Sequence, residues 1–381
     1  MSLNTRHLSE VWIDLGNLSH NVQLLQKLAD RPMWPAIKAN AYGHGMTIIA
    51  KALLELGYGM LSVAHVSEAA ALRDAGIKAR ILVLSATLPE HADALAHYGC
   101  EVVVCTMDVA EALSAAAQRA EQPVAVHIKI DTGMGRVGIR PDSTTAFVQR
   151  CRSLPGIEVR GLMSHFASAD ETDKTFSHRQ LDRFNDATRA EAVEVRHMAN
   201  SAAIFDLPEA RFDAVRPGIS IYGLRPSADI VNPRADELRP VLEWKTRITY
   251  LKEVPAGTGL SYGHAFRTQN PSLIATVPAG YGDGLSRRLS NRCDLLVGGV
   301  RCPQVGHITM DQTLIDVTAL RGRVQIGDEA VIIGRQGGEE ITADELAATL
   351  GTINYEVVTA IAARVPRRVR GEIGTSSTKQ S

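Results

Sequence analysis

A lysine stands at an unusual place near the start of the chain. The short apolar run Pro35-Ala36-Ile37 ends in Lys38, and the glycine-rich stretch Ala41-Tyr42-Gly43-His44-Gly45 follows closely. Burying an unpaired ammonium is costly, so a lysine at the end of an apolar strand needs an explanation. It can be structural, because a lysine can extend from the rim of a sheet into water. It can also be chemical, because a desolvated lysine amine condenses with an aldehyde as a Schiff base.

Polar residues also end or follow four later apolar runs. They are Lys129 and Asp131 in 124–131, His165 in 159–165, Asn200 and Ser201 after 195–199, and Arg216 in 213–216. The carboxyl ends of parallel strands meet on one face of a barrel, where barrel enzymes have their active sites. One lysine or histidine there is more often structural than catalytic. Polar or charged residues at the ends of five apolar strands favour an active site.

The last two of these runs carry a second signal. Ser201, Gly218 and Ile219 follow the seventh and eighth runs, where barrels commonly bind phosphate through backbone N–H groups. Gly218 would let the backbone approach an anion closely, although Pro217-Gly218 is also compatible with an ordinary turn. A Schiff-base lysine together with a phosphate site indicates pyridoxal phosphate.

The elements that must position these residues alternate along the first part of the chain. Eight apolar runs are separated by amphipathic segments such as 67–75 and 107–120, which predicts an α/β fold with a (β/α)8 barrel. An open doubly wound sheet is the alternative, but the Gly-x-Gly-x-x-Gly turn expected after its first strand is absent. The eight predicted strands are 35–38, 58–64, 80–85, 101–105, 124–131, 159–165, 195–199 and 213–216.

The pattern changes after residue 225. Short β-branched runs bounded by turns predict a mostly β domain with strands at 248–251, 273–277, 295–297, 314–317 and 330–333. Thr342 and Glu345 predict the start of a helix over 343–350. We expect a barrel domain at 1–235, whose residues 1–12 could pack with the β domain, then the β domain at 236–370 and a disordered tail at 371–381.

Composition limits the classes of partner. The 381 residues carry a net charge of −1 and no basic run, which argues against nucleic acid or a membrane surface as partner. No apolar stretch is long enough to span a bilayer. The five cysteines lack a CxxC pair, so we expect reduced thiols in a cytoplasmic protein and no metal site.

Together these motifs resemble those of the alanine racemase family, the fold-type III pyridoxal-phosphate racemases. The resemblance covers nearly the whole chain. The matching segments are Lys38-Ala39-Asn40-Ala41-Tyr42-Gly43-His44-Gly45, Lys129-Ile130-Asp131-Thr132-Gly133-Met134-Gly135-Arg136, Ser164-His165-Phe166-Ala167, Ala199-Asn200-Ser201-Ala202, Arg216-Pro217-Gly218-Ile219, Ser261-Tyr262-Gly263, Gly280-Tyr281-Gly282-Asp283-Gly284, Met310-Asp311 and Asn354-Tyr355-Glu356.

The resemblance implies a cofactor site. Lys38 would hold pyridoxal phosphate as an internal aldimine, and Arg216 would face its pyridine nitrogen while hydrogen-bonded to His165. Arg136 would contact the phenolic oxygen and the substrate carboxylate, and a carbamylated Lys129 would orient Arg136. The implied cofactor-binding residues are Lys38, Tyr42, Arg136, His165, Asn200, Ser201, Arg216, Gly218, Ile219 and Tyr355.

The resemblance also implies an activity. Racemisation of L- and D-alanine removes a proton from one face of Cα and returns it to the other, which requires two bases, here Lys38 and Tyr262. Tyr262 and Met310 would be supplied to the site of a second subunit in a head-to-tail homodimer. The family's usual role is D-alanine supply for peptidoglycan. The implied substrate-binding residues are Arg136, Tyr262, Tyr281, Met310 and Asp311.

Four positions depart from the family's usual pattern, namely Gly282, Leu285, His307 and Thr309. They leave open a broader specificity or a serine racemase. A pyridoxal-phosphate decarboxylase is a rival, but it would be expected to offer a carboxylate to the pyridine nitrogen, where this chain has Arg216. A single-domain pyridoxal-phosphate carrier is another rival, although such carriers end after the barrel.

Overall fold

The computed structural model describes residues 7–373. The strands are β1 (Glu10–Asp14), β2 (Met60–Val63), β3 (Arg80–Val83), β4 (Cys100–Val104), β5 (Val124–Lys129), β6 (Ile157–Met163), β7 (Val195–His197), β8 (Leu242–Arg247), β9 (Tyr250–Val254), β10 (Gly259–Leu260), β11 (Phe266–Arg267), β12 (Ser272–Val277), β13 (Asp294–Val297), β14 (Val300–Pro303), β15 (Thr313–Asp316), β16 (Glu329–Gln336), β17 (Glu339–Ile341) and β18 (Arg367–Arg370).

Eleven helical segments occur within residues 7–373, apart from single 3₁₀ turns. They are α1 (Leu15–Ala29), α2 (Lys38–Tyr42), α3 (Met46–Glu55), α4 (Val66–Asp74), α5 (Ala92–His97), α6 (Met107–Ala120), α7 (Thr144–Arg152), α8 (Thr175–Thr188), α9 (Ser201–Asp206), α10 (Ala343–Leu350) and α11 (Asn354–Thr359).

Backbone contacts divide the chain into two compact units. The barrel unit comprises residues 16–41 and 46–239, and the β unit comprises 7–15, 42–45 and 240–372. The domain limits expected from the sequence, 1–235 and 236–370, stay predictions. The predicted disordered tail falls mostly on residues 374–381, which lie outside the described residues.

The barrel unit is built on a parallel sheet. Strands β2 to β7 pair side by side in chain order. Two further segments close the ring by isolated bridges, since Ala36 pairs with Ser62, Met33 with Val215, and Ala214 with His197. The (β/α)8 barrel is therefore confirmed, with its first and last strands reduced to bridged segments.

Apolar side chains account for both layers of the barrel. Strands β2, β4 and β5 are wholly buried, as expected for parallel strands covered on both faces. Helix α6 occupies the predicted residues 107–120 and buries one side, including Val109 and Leu113. The side chains that pack together in one core cluster are those of Trp34, Met60, Leu82, Val103, Met163, Val195 and Ala214.

The β unit contains two main sheets. One has the strand order β14-β13-β16-β8-β1-β18 with β17 beside β16, and the other has the order β15-β12-β9. The five β strands predicted in this part of the chain overlap β9, β12, β13, β15 and β16, whereas β8 was not predicted. Strand β1, from the start of the chain, pairs with β8 and β18 of this unit.

The predicted helix over 343–350 is confirmed as α10. The Thr342 hydroxyl accepts a hydrogen bond from the Glu345 N–H at 3.0 Å, which satisfies one of the free N–H groups of the first turn. Within residues 7–373, all five cysteines are unpaired. No helix in that range is long and apolar enough to cross a membrane.

Candidate active site

The chain turns sharply at Lys38. The predicted strand ended at this residue, but the last bridged residue is Ala36, two residues earlier, and Lys38 opens α2. The residues Ala39, Asn40 and Ala41 have φ of 52°, 54° and 55°, so α2 is a left-handed turn of non-glycine residues. Such a conformation costs about 1–2 kcal/mol per residue, and it must be held by its surroundings.

Glu68 and Asn40 hold this turn. The Glu68 carboxylate, in the first turn of α4, accepts hydrogen bonds from the N–H groups of Ala39 at 2.6 Å and Ala64 at 2.7 Å. The Asn40 side chain accepts one from the Met46 N–H at 2.8 Å, where α3 begins. These contacts pin both sides of the turn and so fix where the Lys38 side chain starts.

The Lys38 amine lies in a positive environment. It forms no hydrogen bond or ion pair with any residue in 7–373. Burial lowers its pKa and the charge of Arg136 lowers it further; Glu68 opposes this shift, and Arg216 makes the smallest lowering contribution. A larger share of the amine is therefore neutral and nucleophilic than in an exposed lysine.

Lys129 ends β5 and is buried, with 7% of its surface exposed. Burial, followed by the charges of Arg216 and Arg136, lowers the pKa of its amine to about 8. No carboxylate in residues 7–373 forms an ion pair with it. A buried, unpaired lysine with this pKa is partly neutral near pH 7, which is the form that reacts with carbon dioxide.

Arg216 is almost fully buried and is held through its two terminal nitrogens. One donates to His197 Nδ1 at 2.5 Å, and the other donates to the carbonyl oxygen of Ser164 at 2.8 Å and to that of Met198 at 3.3 Å. Burial lowers its pKa to about 9, which leaves the guanidinium mostly protonated at neutral pH. Its Nε–H donates to no acceptor within residues 7–373, so this donor is free for a ligand.

The resemblance placed His165, not His197, against Arg216. No hydrogen bond joins the His165 side chain to Arg216 in the described part of the chain. Burial and the charge of Arg216 lower the pKa of His165 well below its usual value, so its imidazole is neutral. The reason for the difference is geometric, since His197 ends β7, the strand paired with the segment that leads to Arg216.

The predicted phosphate-binding residues of the barrel unit come together. The Ser201 hydroxyl accepts hydrogen bonds from the Gly218 N–H at 2.9 Å and the Ser220 N–H at 3.4 Å. The Ile219 N–H between them has no acceptor within residues 7–373. Asn200, also predicted to bind the cofactor, caps α9 by accepting from the Ala203 N–H at 3.0 Å.

The loop after β5 presents Arg136. The Asp131 carboxylate accepts from the N–H groups of Gly133 at 2.9 Å and Gly135 at 3.1 Å, which shapes the loop. The Arg136 side chain is exposed and makes no hydrogen bond to the described residues. Its guanidinium is therefore available for an anionic group such as a carboxylate.

The β unit presents its predicted site residues on exposed loops. Tyr262 is 72% exposed, Met310 53% and Tyr281 43%. Ser261, directly before Tyr262, has a φ of 60°, and its hydroxyl donates to the His307 carbonyl at 2.7 Å. This bond holds the strained residue and thereby fixes the direction in which the chain presents Tyr262.

The loops that carry Tyr281 and Met310 are joined to each other. The Tyr281 N–H donates to the Thr309 carbonyl at 3.0 Å, and the Gly282 N–H to the Met310 carbonyl at 2.8 Å. A Cβ atom at Gly280 would lie 2.2 Å from the Thr309 oxygen, so only glycine allows this approach.

An ion-pair bridge adds to these backbone contacts. Arg364 donates to Asp283 at 2.7 Å and to Asp311 at 2.8 Å, and so ties the two loops through their carboxylates. Asp311 was predicted to bind substrate, and in this structure its carboxylate is already paired.

The β unit also contains Tyr42 and Tyr355, both predicted to bind phosphate. Their ring centroids are 6.1 Å apart. The adjacent Gly43 packs so closely on α11 that a Cβ atom there would lie 2.0 Å from the Val358 oxygen. Arg367 donates to the Gly43 carbonyl at 2.9 Å and to three other carbonyl oxygens, which secures this loop.

Comparisons with known proteins identify the family of the chain. Residues 13–226 match the family model "Alanine racemase, N-terminal domain", and residues 241–369 match "Alanine racemase, C-terminal domain". The chain belongs to the alanine racemase family. Members of this family are isomerases that depend on pyridoxal phosphate, which confirms the cofactor and the class of enzyme that the sequence predicted.

Individual alanine racemases match along nearly their full length. That of Halothermothrix orenii is 43% identical over 98% of this chain and all of its own. The solved alanine racemase of Clostridium difficile 630 has a TM-score of 0.91 at 34% identity, with 97% of each chain covered. That of Bacillus anthracis, solved with bound L-Ala-P, has a TM-score of 0.91 at 35% identity over 98% of this chain and 97% of its own.

Sequence reasoning missed several residues that hold the site. Glu68 supports the Lys38 turn, His197 contacts Arg216, and Arg364 joins two loops of the β unit. A signal existed for His197, because a histidine inside the apolar run Val195–Ala199 interrupts a buried strand. Nothing in the local sequence marks Glu68, since it stands in an ordinary amphipathic helix.

Proposed function

We propose that this alanine racemase family member interconverts L- and D-alanine by two-base proton transfer, with Lys38 and Tyr262 as the bases. The observation that carries the proposal is the amine of Lys38, which is unpaired and has a lowered pKa beside Arg136 and Arg216. An amine whose pKa is lowered is neutral, and so able to accept a proton from Cα, at a lower pH than an ordinary surface lysine.

The donor set of the barrel unit fits pyridoxal phosphate. The free Nε–H of buried Arg216 suits the ring nitrogen as acceptor, because the guanidinium stays mostly protonated at neutral pH. The Ser201 hydroxyl and the free Ile219 N–H suit a phosphate, with Gly218 allowing a close approach. When bound, the cofactor supplies an electron-withdrawing ring that lowers the cost of removing the Cα proton.

Each of the two bases transfers a proton through one atom. Lys38 Nζ takes the proton from one face of Cα, and the Tyr262 hydroxyl gives a proton to the other face. The opposite enantiomer runs the same exchange in reverse, with the Tyr262 phenolate as acceptor and the Lys38 ammonium as donor. Arg136, exposed and without a protein partner, would bind the substrate carboxylate.

A modified Lys129 would support Arg136. Its neutral amine, favoured by a pKa of about 8, would react with carbon dioxide to give a carbamate. This changes a buried cation into an anion that can accept hydrogen bonds from Arg136. The remaining predicted cofactor ligands, His165, Asn200, Tyr42 and Tyr355, belong to the same proposal.

The residues of the β unit support an assembly in which two copies complete each other's sites. Tyr262 and Met310 are more than half exposed, so both side chains are accessible to a second copy. We place them in the site of a second copy in a head-to-tail homodimer. Tyr281 and Asp311, on the loops braced by Arg364, would line the substrate entrance.

The cellular assignment is a proposal of the same kind. Five unpaired cysteines suit a reducing compartment, so we place the enzyme in the cytoplasm. L- and D-alanine have equal free energies in water, so the direction depends on which enantiomer is consumed. Supply of D-alanine for peptidoglycan is the direction we propose.

A kinetic panel tests the function. Purified holoenzyme is incubated with each enantiomer of alanine and serine in deuterium oxide, and the products are separated on a chiral column. We expect inversion of alanine with deuterium at Cα and no release of carbon dioxide, and slower turnover of serine. Carbon dioxide release would identify a decarboxylase, and inertness toward all four amino acids would favour a cofactor carrier.

A further inference from the structure

Four polar side chains form a continuous hydrogen-bonded chain through the interior of the barrel. Arg216 contacts His197 Nδ1 at 2.5 Å, His197 Nε2 contacts His127 Nδ1 at 2.9 Å, and His127 Nε2 contacts the Glu101 carboxylate at 2.9 Å. Both histidines are completely buried. A polar chain of this kind amid apolar core residues is costly unless every member is satisfied.

The donors and acceptors of this chain can be assigned without ambiguity. Arginine only donates, so His197 Nδ1 must accept and the single proton of His197 is on Nε2. That proton is donated to His127 Nδ1, so the proton of His127 is also on Nε2, from which it is donated to Glu101. All three bonds therefore run in one direction, from Arg216 to the carboxylate, with both histidines neutral.

The carboxylate at the end of the chain is kept ionised. Burial alone would raise the pKa of Glu101, but hydrogen bonds from His127 and Arg80 outweigh it and lower the pKa to about 2. Arg80 donates at 2.5 Å and Arg160 at 3.2 Å to the second carboxylate oxygen. The Arg80 side chain is 48% exposed, so the far end of the chain is hydrated.

The surrounding core is shaped to hold both imidazole rings. Trp34 packs edge-on against each of them, with ring centroids 5.7 Å from His127 and 4.8 Å from His197. On the neighbouring strand, a Cβ atom at Gly161 would lie 2.3 Å from His127 Nδ1. Only glycine leaves room for the ring at that position, so neither imidazole can turn over without moving its neighbours.

We propose that Glu101, His127 and His197 are positioning residues that fix the orientation of Arg216 and the direction of its hydrogen bond inside the barrel. The inference rests on the proposed contact of Arg216 with the ring nitrogen of the cofactor. Arg216 reaches that nitrogen through Nε only if its terminal nitrogens are held, and one of them is held by the Nδ1 lone pair of His197.

The assignment predicts what the loss of Glu101 does. Without a carboxylate, His127 can carry its proton on Nδ1 and donate to His197 Nε2, which moves the His197 proton to Nδ1. That N–H then faces an N–H of Arg216, and the two donors repel. The Arg216–His197 contact is therefore disturbed about three hydrogen bonds away from the replaced Glu101. If Glu101 were only structural, its loss would not have this effect on Arg216.

Neutron diffraction on deuterium-exchanged holoenzyme tests the proton arrangement without reference to activity. We expect deuterium on Nε2 of His127 and of His197 and none on Nδ1 of either. Deuterium on Nδ1 of either histidine would overturn the proposal, because the chain would then not run from Arg216 to Glu101.

Three variants test the effect on Arg216, read from the visible absorption band of bound cofactor and from kcat and KM separately. Glu101→Gln and His127→Leu should each shift the band and lower kcat by roughly tenfold or more with little change in KM, as loss of a supporting hydrogen-bond partner typically does. His127→Asn should restore both, because its amide oxygen can replace Nδ1 as the acceptor for His197.

Two control variants separate a general loss of stability from a specific effect on Arg216. Leu82→Ala removes a core side chain without removing a bond of the chain, so it should lower the melting temperature but leave the band in place. Arg216→Lys should shift the band. If Arg216→Lys shifts the absorption band but Glu101→Gln and His127→Leu do not, the positioning role of Glu101 and His127 is overturned. No shift for Arg216→Lys would overturn the proposed role of Arg216 itself, whatever the neutron maps contain.

Discussion

The two units of the chain prepare their reactive residues in opposite ways. In the barrel unit, Lys129 and Arg216 are buried and their pKa values are lowered by burial. In the β unit, Tyr262 and Met310 are more than half exposed on loops that hydrogen bonds hold in place. Ser261 holds the loop of Tyr262, and the 280–284 loop holds that of Met310. The reactive state of the barrel residues is set by the protein interior. The tyrosine has a fixed loop but no enclosing environment.

This difference shows which part of the chemistry one unit can supply by itself. A buried lysine is tuned by the strands and helices around it, so the barrel residues are prepared before any ligand binds. An exposed tyrosine gains a low-dielectric environment only when another surface covers it. Substitution of Lys38, Tyr262, Glu68 and Lys129 tests this contrast, and we expect the effects to decrease in that order.

Lys38→Ala should have the largest effect. We expect loss of covalently held cofactor and a fall in racemisation of about 10⁴-fold, because the proposed base and the attachment point are one amine. Cofactor absorbance and chiral chromatography measure the two losses. Lys51→Ala, on the exposed side of α3, is the matched control and should keep full activity. An active Lys38→Ala enzyme would contradict the role of Lys38 as base and as attachment point of the cofactor.

Tyr262→Phe should lower racemisation by roughly 10²- to 10³-fold while cofactor binding stays intact. Because the side chain is 72% exposed, the free energy of unfolding should change by less than about 0.5 kcal/mol, measured by urea denaturation. Tyr250→Phe is the control, since Tyr250 is 55% exposed in the same unit. Equal losses in both variants would contradict a catalytic role.

Glu68→Gln tests the support of the left-handed turn. The amide keeps one acceptor oxygen, so at least one of the bonds to Ala39 and Ala64 is lost. We expect a loss of about 1–2 kcal/mol in unfolding free energy and roughly a tenfold fall in kcat. Glu111→Gln, on the exposed side of α6, is the control for removing a charge. Wild-type kinetics in Glu68→Gln would show that the turn holds without the carboxylate.

Modification of Lys129 should give the smallest change. With a pKa of about 8, roughly a tenth of the amine is neutral at pH 7 and half at pH 8. Because only the neutral amine reacts with carbon dioxide, the carbamate signal from ¹³C-bicarbonate should rise over this range. Lys129→Arg should lack the signal. A signal that keeps rising about tenfold per pH unit above pH 8 would contradict the lowered pKa, because a lysine amine of ordinary pKa is still almost fully protonated there.

The sequence carried more information about the barrel than about the contacts that tune it. The alternation of apolar runs and amphipathic segments predicted the barrel, because parallel strands covered on both faces must be continuously apolar. It also brought Lys38, Lys129 and Arg216 to strand ends. The partner of Arg216 was not predictable in this way, since it depends on which strand neighbours the last segment in space.

Two further features lie beyond local patterns. The left-handed turn at Ala39–Ala41 contains no glycine, the usual sequence signal for positive φ, and is imposed by Glu68 from another helix. Strand β8 was missed although its buried and less buried residues alternate, because the less buried positions include the charged residues Glu243 and Lys245 within a short run. In both cases tertiary contacts decide the conformation.

The placement of β1 has a consequence for how the chain reaches its native state. This strand is made early in synthesis, yet it pairs with β8 and with β18, and its Glu10 contacts Arg368, 358 residues later. The opening segment must therefore wait, unpaired, while the whole barrel emerges from the ribosome. The β unit can be completed only after residues 367–370 have been made, so a chain that stops before them would carry an unpaired edge on β1.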